Sequence, residues 1–206
     1  MPQFESVISC YYDSRISTLA RIKARSLGAD TLVLSALAVL AYAQMEGGVK
    51  DLSACVIKHV NRRKLACGEV APRLLDWRNQ DHLTRFRSAI NYDMIGAKSP
   101  FSEMLKERVQ IRPINRAREF NQMSWAALKR IYEGFGLDGT TIARSAADID
   151  SLVGFRNDAA HHGSMPTTTA AILENQVRRS VLIVEDVLTD FTLQLLTFFE
   201  KQMHKR

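Results

Sequence analysis

The chain has 206 residues, 46% hydrophobic and 24% charged, with a net charge of +6; this composition excludes a disordered or fibrous protein and leaves enough chain for one ordinary core. Cys10, Cys55 and Cys67 are too few and too scattered for a disulfide framework or a Cys-x-x-Cys metal knuckle, and their odd number suits a reducing, cytoplasmic setting. Ten Gly and five Pro leave long stretches unbroken, which favours helices over a many-turned β fold.

The first predicted element is a helix over residues 4–25. Phe4, Val7, Ile8, Tyr11, Tyr12, Ile16, Leu19 and Ile22 recur at helical spacing, and Arg15, Arg21, Lys23 and Arg25 fall mostly elsewhere. The preceding Met-Pro-Gln lacks the basic start of a secretory signal. Gly28 ends this helix and Asp30 is placed to cap a second one over 31–65. The second helix is apolar nearly all round from Thr31 to Met45. That run falls short of the ~20 residues a bilayer span needs, so a buried core helix and no membrane are expected. Gly47-Gly48 marks either a kink or a close helix approach.

Residues 66–120 are less regular, punctuated by Gly68, Pro72, Gly96, Pro100 and Pro113, with short helices expected near 80–92 and 101–109. Lys58 to Arg130 carries 16 Lys and Arg against 7 Asp and Glu, whereas the remaining residues carry 12 against 15. A basic block of this kind either attracts a polyanion through counterion release or is a solvated surface on an insertion. Asn121 begins a clearer helix, with Trp125, Leu128, Ile131, Tyr132 and Phe135 on one side and Gly136 as its stop. The next helix starts near Ser145 or Ala146, places Asp148 and Asp150 in its first turns, and ends at Gly163. After a loop over 164–169, Val177, Val181, Val184, Leu188, Phe191, Leu195 and Phe198 alternate steps of four and three. Such a heptad seam is either a bundle core strip or a coiled-coil dimer contact. The expected fold is all-α: an up-and-down helical bundle forming one domain over 1–206, with 66–120 as a basic insertion between the second and third long helices.

The segment from Asp148 to Gly163 carries the chemistry. At about 100° per residue, the stripe set by Ile149, Leu152 and Val153 runs on to Arg156 and Asn157, then to Ala160 and His161. An apolar face thus becomes a cluster of Arg, Asn and His, expected to stay inside the bundle. A helix that needed only packing would put an aliphatic residue at 156, because an unpaired buried charge is expensive. Either Arg156 meets an acid such as Glu46, or the surface around it is open and used. His161 and His162 add groups that titrate near neutrality, although a core histidine and a helix-end histidine are the plain alternatives.

Arg156-Asn157-Asp158-Ala159-Ala160-His161, preceded by Ile149-Asp150-x-Leu152-Val153 and followed by Gly163, resembles the HEPN superfamily signature of Arg, four to six residues, then His. Tyr42-Ala-Gln-Met-Glu46 is similar to the Tyr-x-x-x-Glu of its RiboL-PSP and MAE-type groups. Two departures stand out. His162 lies between His161 and the glycine, so either histidine satisfies the spacing, and no Tyr follows two residues after either one.

The resemblance implies a metal-independent endoribonuclease with no cofactor and no metal, leaving 2′,3′-cyclic phosphate and 5′-OH ends, as in toxins and phage-defence effectors. It implies Arg156, Asn157, His161 and Glu46 as the catalytic set, with His162, Asp158 and Tyr42 as auxiliaries. It further implies RNA as partner, a homodimer with a composite basic cleft, and an antitoxin or defence-system partner protein. Arg62, Arg63, Lys64, Arg85, Arg87, Arg112, Arg116 and Arg118 are the candidates to hold the RNA backbone. Two other readings stay open: a non-catalytic HEPN module that binds nucleotide or protein, and a metal hydrolase using His161, His162 and Asp158.

Overall fold

The structure is a computed structural model that describes residues 2–64, 108, 111, 122–162 and 169–203. Most of the expected insertion therefore lies outside the described residues, including the short helices at 80–92 and 101–109 and the side chains of Arg85, Arg87, Arg112, Arg116 and Arg118.

The described residues form α1 (Pro2–Arg25), α2 (Thr31–Arg62), α3 (Trp125–Phe135), α4 (Thr140–Ala143), α5 (Ala146–His162) and α6 (Ala170–Met203), with no strand among them. α1 buries Phe4, Ile8, Leu19 and Ile22, while Val7 and Tyr11, read as part of the same stripe, stay exposed at 42% and 45%. Asp30 caps α2 as expected, its carboxylate accepting the Val33 N–H at 2.8 Å. α2 is long and apolar enough by composition to cross a membrane. In this fold it packs against α1, α5 and α6, burying Leu34, Ala38, Ala41, Tyr42, Met45, Val49, Leu52 and Val56.

The glycine pair resolves as a close helix approach. α2 is one unbroken helix, and a Cβ at Gly48 would sit 2.6 Å from Leu188 Cδ2 on α6. Gly47 faces α1, where a Cβ would meet the Arg15 guanidinium at 3.1 Å. Arg15 is fixed there by Gln44 Oε1 at 2.9 Å and Asp51 Oδ2 at 2.6 Å.

α6 supplies the centre of the core. Val177, Val181, Val184, Leu188, Phe191 and Leu195 are all fully buried, so the heptad seam is a core strip within one chain. Tyr132 and Phe135 of α3 pack their rings on Phe191, at centroid distances of 5.2 and 6.2 Å. The α3–α4 turn is held to α6 by polar contacts. Tyr132 donates to Asp190, and Gln194 bonds both the backbone of Asp138 and the Asp190 carboxylate.

α3 begins at Trp125 with Ser124 as its cap, four residues after the expected start, and Gly136 ends it in a left-handed conformation with φ 71°. The later start follows from capping: the Ser124 hydroxyl accepts the Ala127 N–H, and Asp150 of α5 accepts the Trp125 N–H at 2.8 Å. Asp150 thus satisfies another helix's N-terminus, and Asp148 pairs with Arg179 of α6 at 2.6 Å.

Candidate active site

α5 crosses α2 where both helices carry polar residues on otherwise apolar faces. Ile149, Leu152 and Val153 are buried, Arg156 and Asn157 are half-buried, and Ala159 is buried again. The Arg156 guanidinium carbon stands 5.5 Å from the centroid of the Tyr42 ring, within range of a cation–π contact. Arg156 Nη1 also donates to Asn157 Oδ1 at 2.9 Å.

Tyr42 is 2% exposed, and its hydroxyl accepts the Met123 N–H at 2.7 Å. The platform under Arg156 is therefore fixed by a backbone bond to the segment that enters α3. Burial pushes the Tyr42 phenol up to about 12; the Glu46 carboxylate adds to that shift, while the Met123 N–H and Arg156 oppose it. The phenol thus stays neutral, and Glu46, Tyr42 and Arg156 feel one another electrostatically.

Glu46 does not form an ion pair with Arg156. Its carboxylate takes Lys50 Nζ at 2.5 Å, one turn further along α2. Among the described residues Arg156 has no acid partner, so the reading of Arg156 as half of a buried Arg–Glu pair does not hold. The guanidinium is instead supported by a ring face and an amide oxygen, neither of which neutralises it. Lys50 is the member of this cluster that sequence reasoning missed, although Glu and Lys four apart on a helix are a recognised pairing signal.

The expectation that Arg156, Asn157 and His161 share an inward face is corrected for the histidine. His161 is exposed, as are Ala160 and Asp158. The reason is helical geometry: each i, i+4 step advances about 40° round the helix, so the column Val153, Asn157, His161 rotates out of the core. His161 is therefore not a satisfied core histidine. It stands on the solvent side of the last turn of α5, about 140° round from Arg156 and one to two turns beyond it. The side chain of His162 lies outside the described residues. Among the described residues no group of three His, Cys, Asp or Glu side chains converges in a metal-binding arrangement.

Of the candidate RNA contacts, Arg62 and Lys64 are exposed and Arg63 is half-buried, all at the C-terminal end of α2. Asn61 there bonds both backbone groups of Ile111, through Nδ2 at 2.9 Å and Oδ1 at 2.8 Å. That pins a buried point of the insertion to the same helix end.

An all-α bundle with an Arg-Asn-x3-His helix laid over a Tyr-x-x-x-Glu helix defines a class of protein as well as a site. The chain belongs to the RiboL-PSP-HEPN family, whose model matches residues 12–197. No curated protein and no solved structure matches the chain. Membership is consistent with a nuclease or an RNA-binding module.

Proposed function

We propose that the protein is a metal-independent endoribonuclease whose reacting groups are Arg156 and His161. Asn157 orients Arg156, and Glu46 and Tyr42 are positioning residues. The observation that carries this reading is a half-buried guanidinium held on a ring face with no acid partner among the described residues, one helix end away from an exposed imidazole.

The reaction is an internal transfer. The ribose 2′-oxygen attacks phosphorus, the bond from phosphorus to the 5′-oxygen breaks, and the products are a 2′,3′-cyclic phosphate and a 5′-hydroxyl. An imidazole takes the 2′ proton and an imidazolium returns one to the leaving oxygen, work that His does near neutral pH and that is worth about 10²–10⁴-fold in rate. Arg156 pairs with the phosphoryl oxygens as their charge builds, a task its planar fork suits. Because Arg156 and His161 diverge within one chain, the working site is composite: two copies of α5 face each other in a homodimer, Arg from one beside His from the other. A toxin or phage-defence role, with a cognate partner protein, is the setting in which such an activity belongs.

The test is incubation of purified protein with mixed RNA in EDTA, followed by analysis of product ends. Cyclic phosphate and 5′-hydroxyl ends are expected from the wild type, with Arg156→Ala and His161→Ala at least about 100-fold slower. Intact RNA, 5′-phosphate ends, or full activity in both variants would overturn the reading. Intact RNA that nevertheless binds would favour the non-catalytic module.

A further inference from the structure

A second polar site lies on the other side of α2. α1 and the C-terminal half of α2 enclose an open groove of about 640 Å³, within the usual size of a small-molecule site. Counted from Tyr42 at about 100° per residue, Asp51, Lys58 and Arg62 fall roughly 160–200° round the helix, on the face turned away from Arg156.

The lining is divided. Phe4, Val7, Ala54 and Cys55 make an apolar part, and Tyr11 stands beside them half in solvent. The Phe4 and His59 rings are 4.3 Å apart between centroids and tilted by 41°, forming one aromatic wall. Lys58 and Arg62 are exposed, line the same groove and have no acid partner among the described residues. Four apart on a helix, they stand about 6 Å from one another at Cβ, a spacing that brackets one phosphate group. The carboxylate in the groove, Asp51, is engaged by Arg15 at 2.6 Å, which offsets its charge.

An apolar aromatic wall ending in two cations that no described acid pairs matches a planar ring joined to a phosphate. A simple inorganic anion would leave the wall unused, and an apolar ligand would leave the cations unused. We propose that this groove binds one nucleotide, its base against the Phe4–His59 wall and its phosphate across Lys58 and Arg62. Base stacking on aromatic side chains and backbone contacts from basic ones are the two elements of single-strand recognition. The occupant is either a free mononucleotide or one unit of a single-stranded RNA, and the site stands whether or not Arg156 supports cleavage.

Cys55 makes the test direct, because its half-buried thiol lines the groove. In a Cys10→Ser/Cys67→Ser background of the full chain, the rate of Cys55 labelling by a small thiol reagent is measured against added AMP, adenosine, inorganic phosphate and a 2′-O-methyl single-stranded oligoadenylate that cannot be cleaved by 2′-OH attack. Calorimetry on the same ligands supplies affinities. Protection by AMP or by the oligonucleotide, with adenosine and phosphate at least about tenfold weaker, supports the site. Protection of Cys55 at lower concentration by the oligonucleotide assigns the occupant to an RNA strand, and by AMP to a free nucleotide. Lys58→Ala/Arg62→Ala should weaken protection of Cys55 by about tenfold or more without moving the melting midpoint. Phosphate protecting as well as AMP, no protection by either nucleotide, or full protection in the double variant would overturn the proposal.

Discussion

Tyr42→Phe removes one oxygen from the centre of the α2–α5 crossing and keeps the ring. The Met123 N–H now bonded to that oxygen at 2.7 Å is fully buried, as Tyr42 nearly is, so the variant strands a backbone donor away from water. That costs about 1–3 kcal/mol, or a fall in melting midpoint of roughly 2–10 °C for a chain of this size. The loss should depend on pH with a definite sign. The folded phenol titrates at about 12 against an ordinary value of 10.0, so its contribution is complete below 10 and is lost as pH rises through 12. At pH 11 the gap between wild type and variant should therefore be smaller than at pH 7, by on the order of 1 kcal/mol. Urea unfolding of both proteins at the two pH values measures this. Because the ring under Arg156 remains, RNA cleavage by Tyr42→Phe should stay within about threefold of wild type, while Tyr42→Leu, which also deletes the cation–π partner, should lose more. Equal stability at pH 7, or a gap that widens with pH, would refute the reasoning.

Gly48→Ala should destabilise by up to about 2 kcal/mol, since the clash with the buried Leu188 outweighs the gain in helix propensity; Gly154→Ala, with open space around its Cβ position, should stabilise by about 0.5–1 kcal/mol, and thermal melts of the pair give the two signs. Tyr132→Phe should lower stability by about 1–3 kcal/mol in denaturant melts, because it removes the hydroxyl donor to the Asp190 carboxylate. Burial, followed by the nearby Arg63, holds the His59 imidazole below its ordinary value of 6.5. Its neutral form is therefore favoured in the fold, and stability should decline as pH falls below that value; His59→Gln should flatten this acid limb in a series of melts from pH 7 to pH 5.

Much of the bundle was legible because its signals are local. The steps of four and three from Val177 to Leu195, the cap at Asp30 and the stop at Gly136 each involve residues within one element, and each appears where the pattern puts it. α4 was missed because four residues carry no periodicity. The start of α3 was misplaced because Asp150, from a different helix, helps to set it. At the candidate site, Arg156, Asn157, Tyr42 and Glu46 were found through residue type and spacing. The partner of Glu46 was not, because Lys50 and Arg156 compete for it and only packing decides between them. The outward turn of His161 was computable from the helical step alone. Tyr42 and Met123 are 81 positions apart, and no local pattern announces such a bond.

The most direct measurement uses an RNA that carries a single 2′-deoxynucleotide at a bond the protein has been mapped to cut. If Arg156 and His161 promote attack by the neighbouring 2′-oxygen, the all-ribose strand is cleaved there and the substituted strand is spared at that one bond, with its other sites still cut. Scission at the deoxy position, or no scission of either strand, would contradict the account.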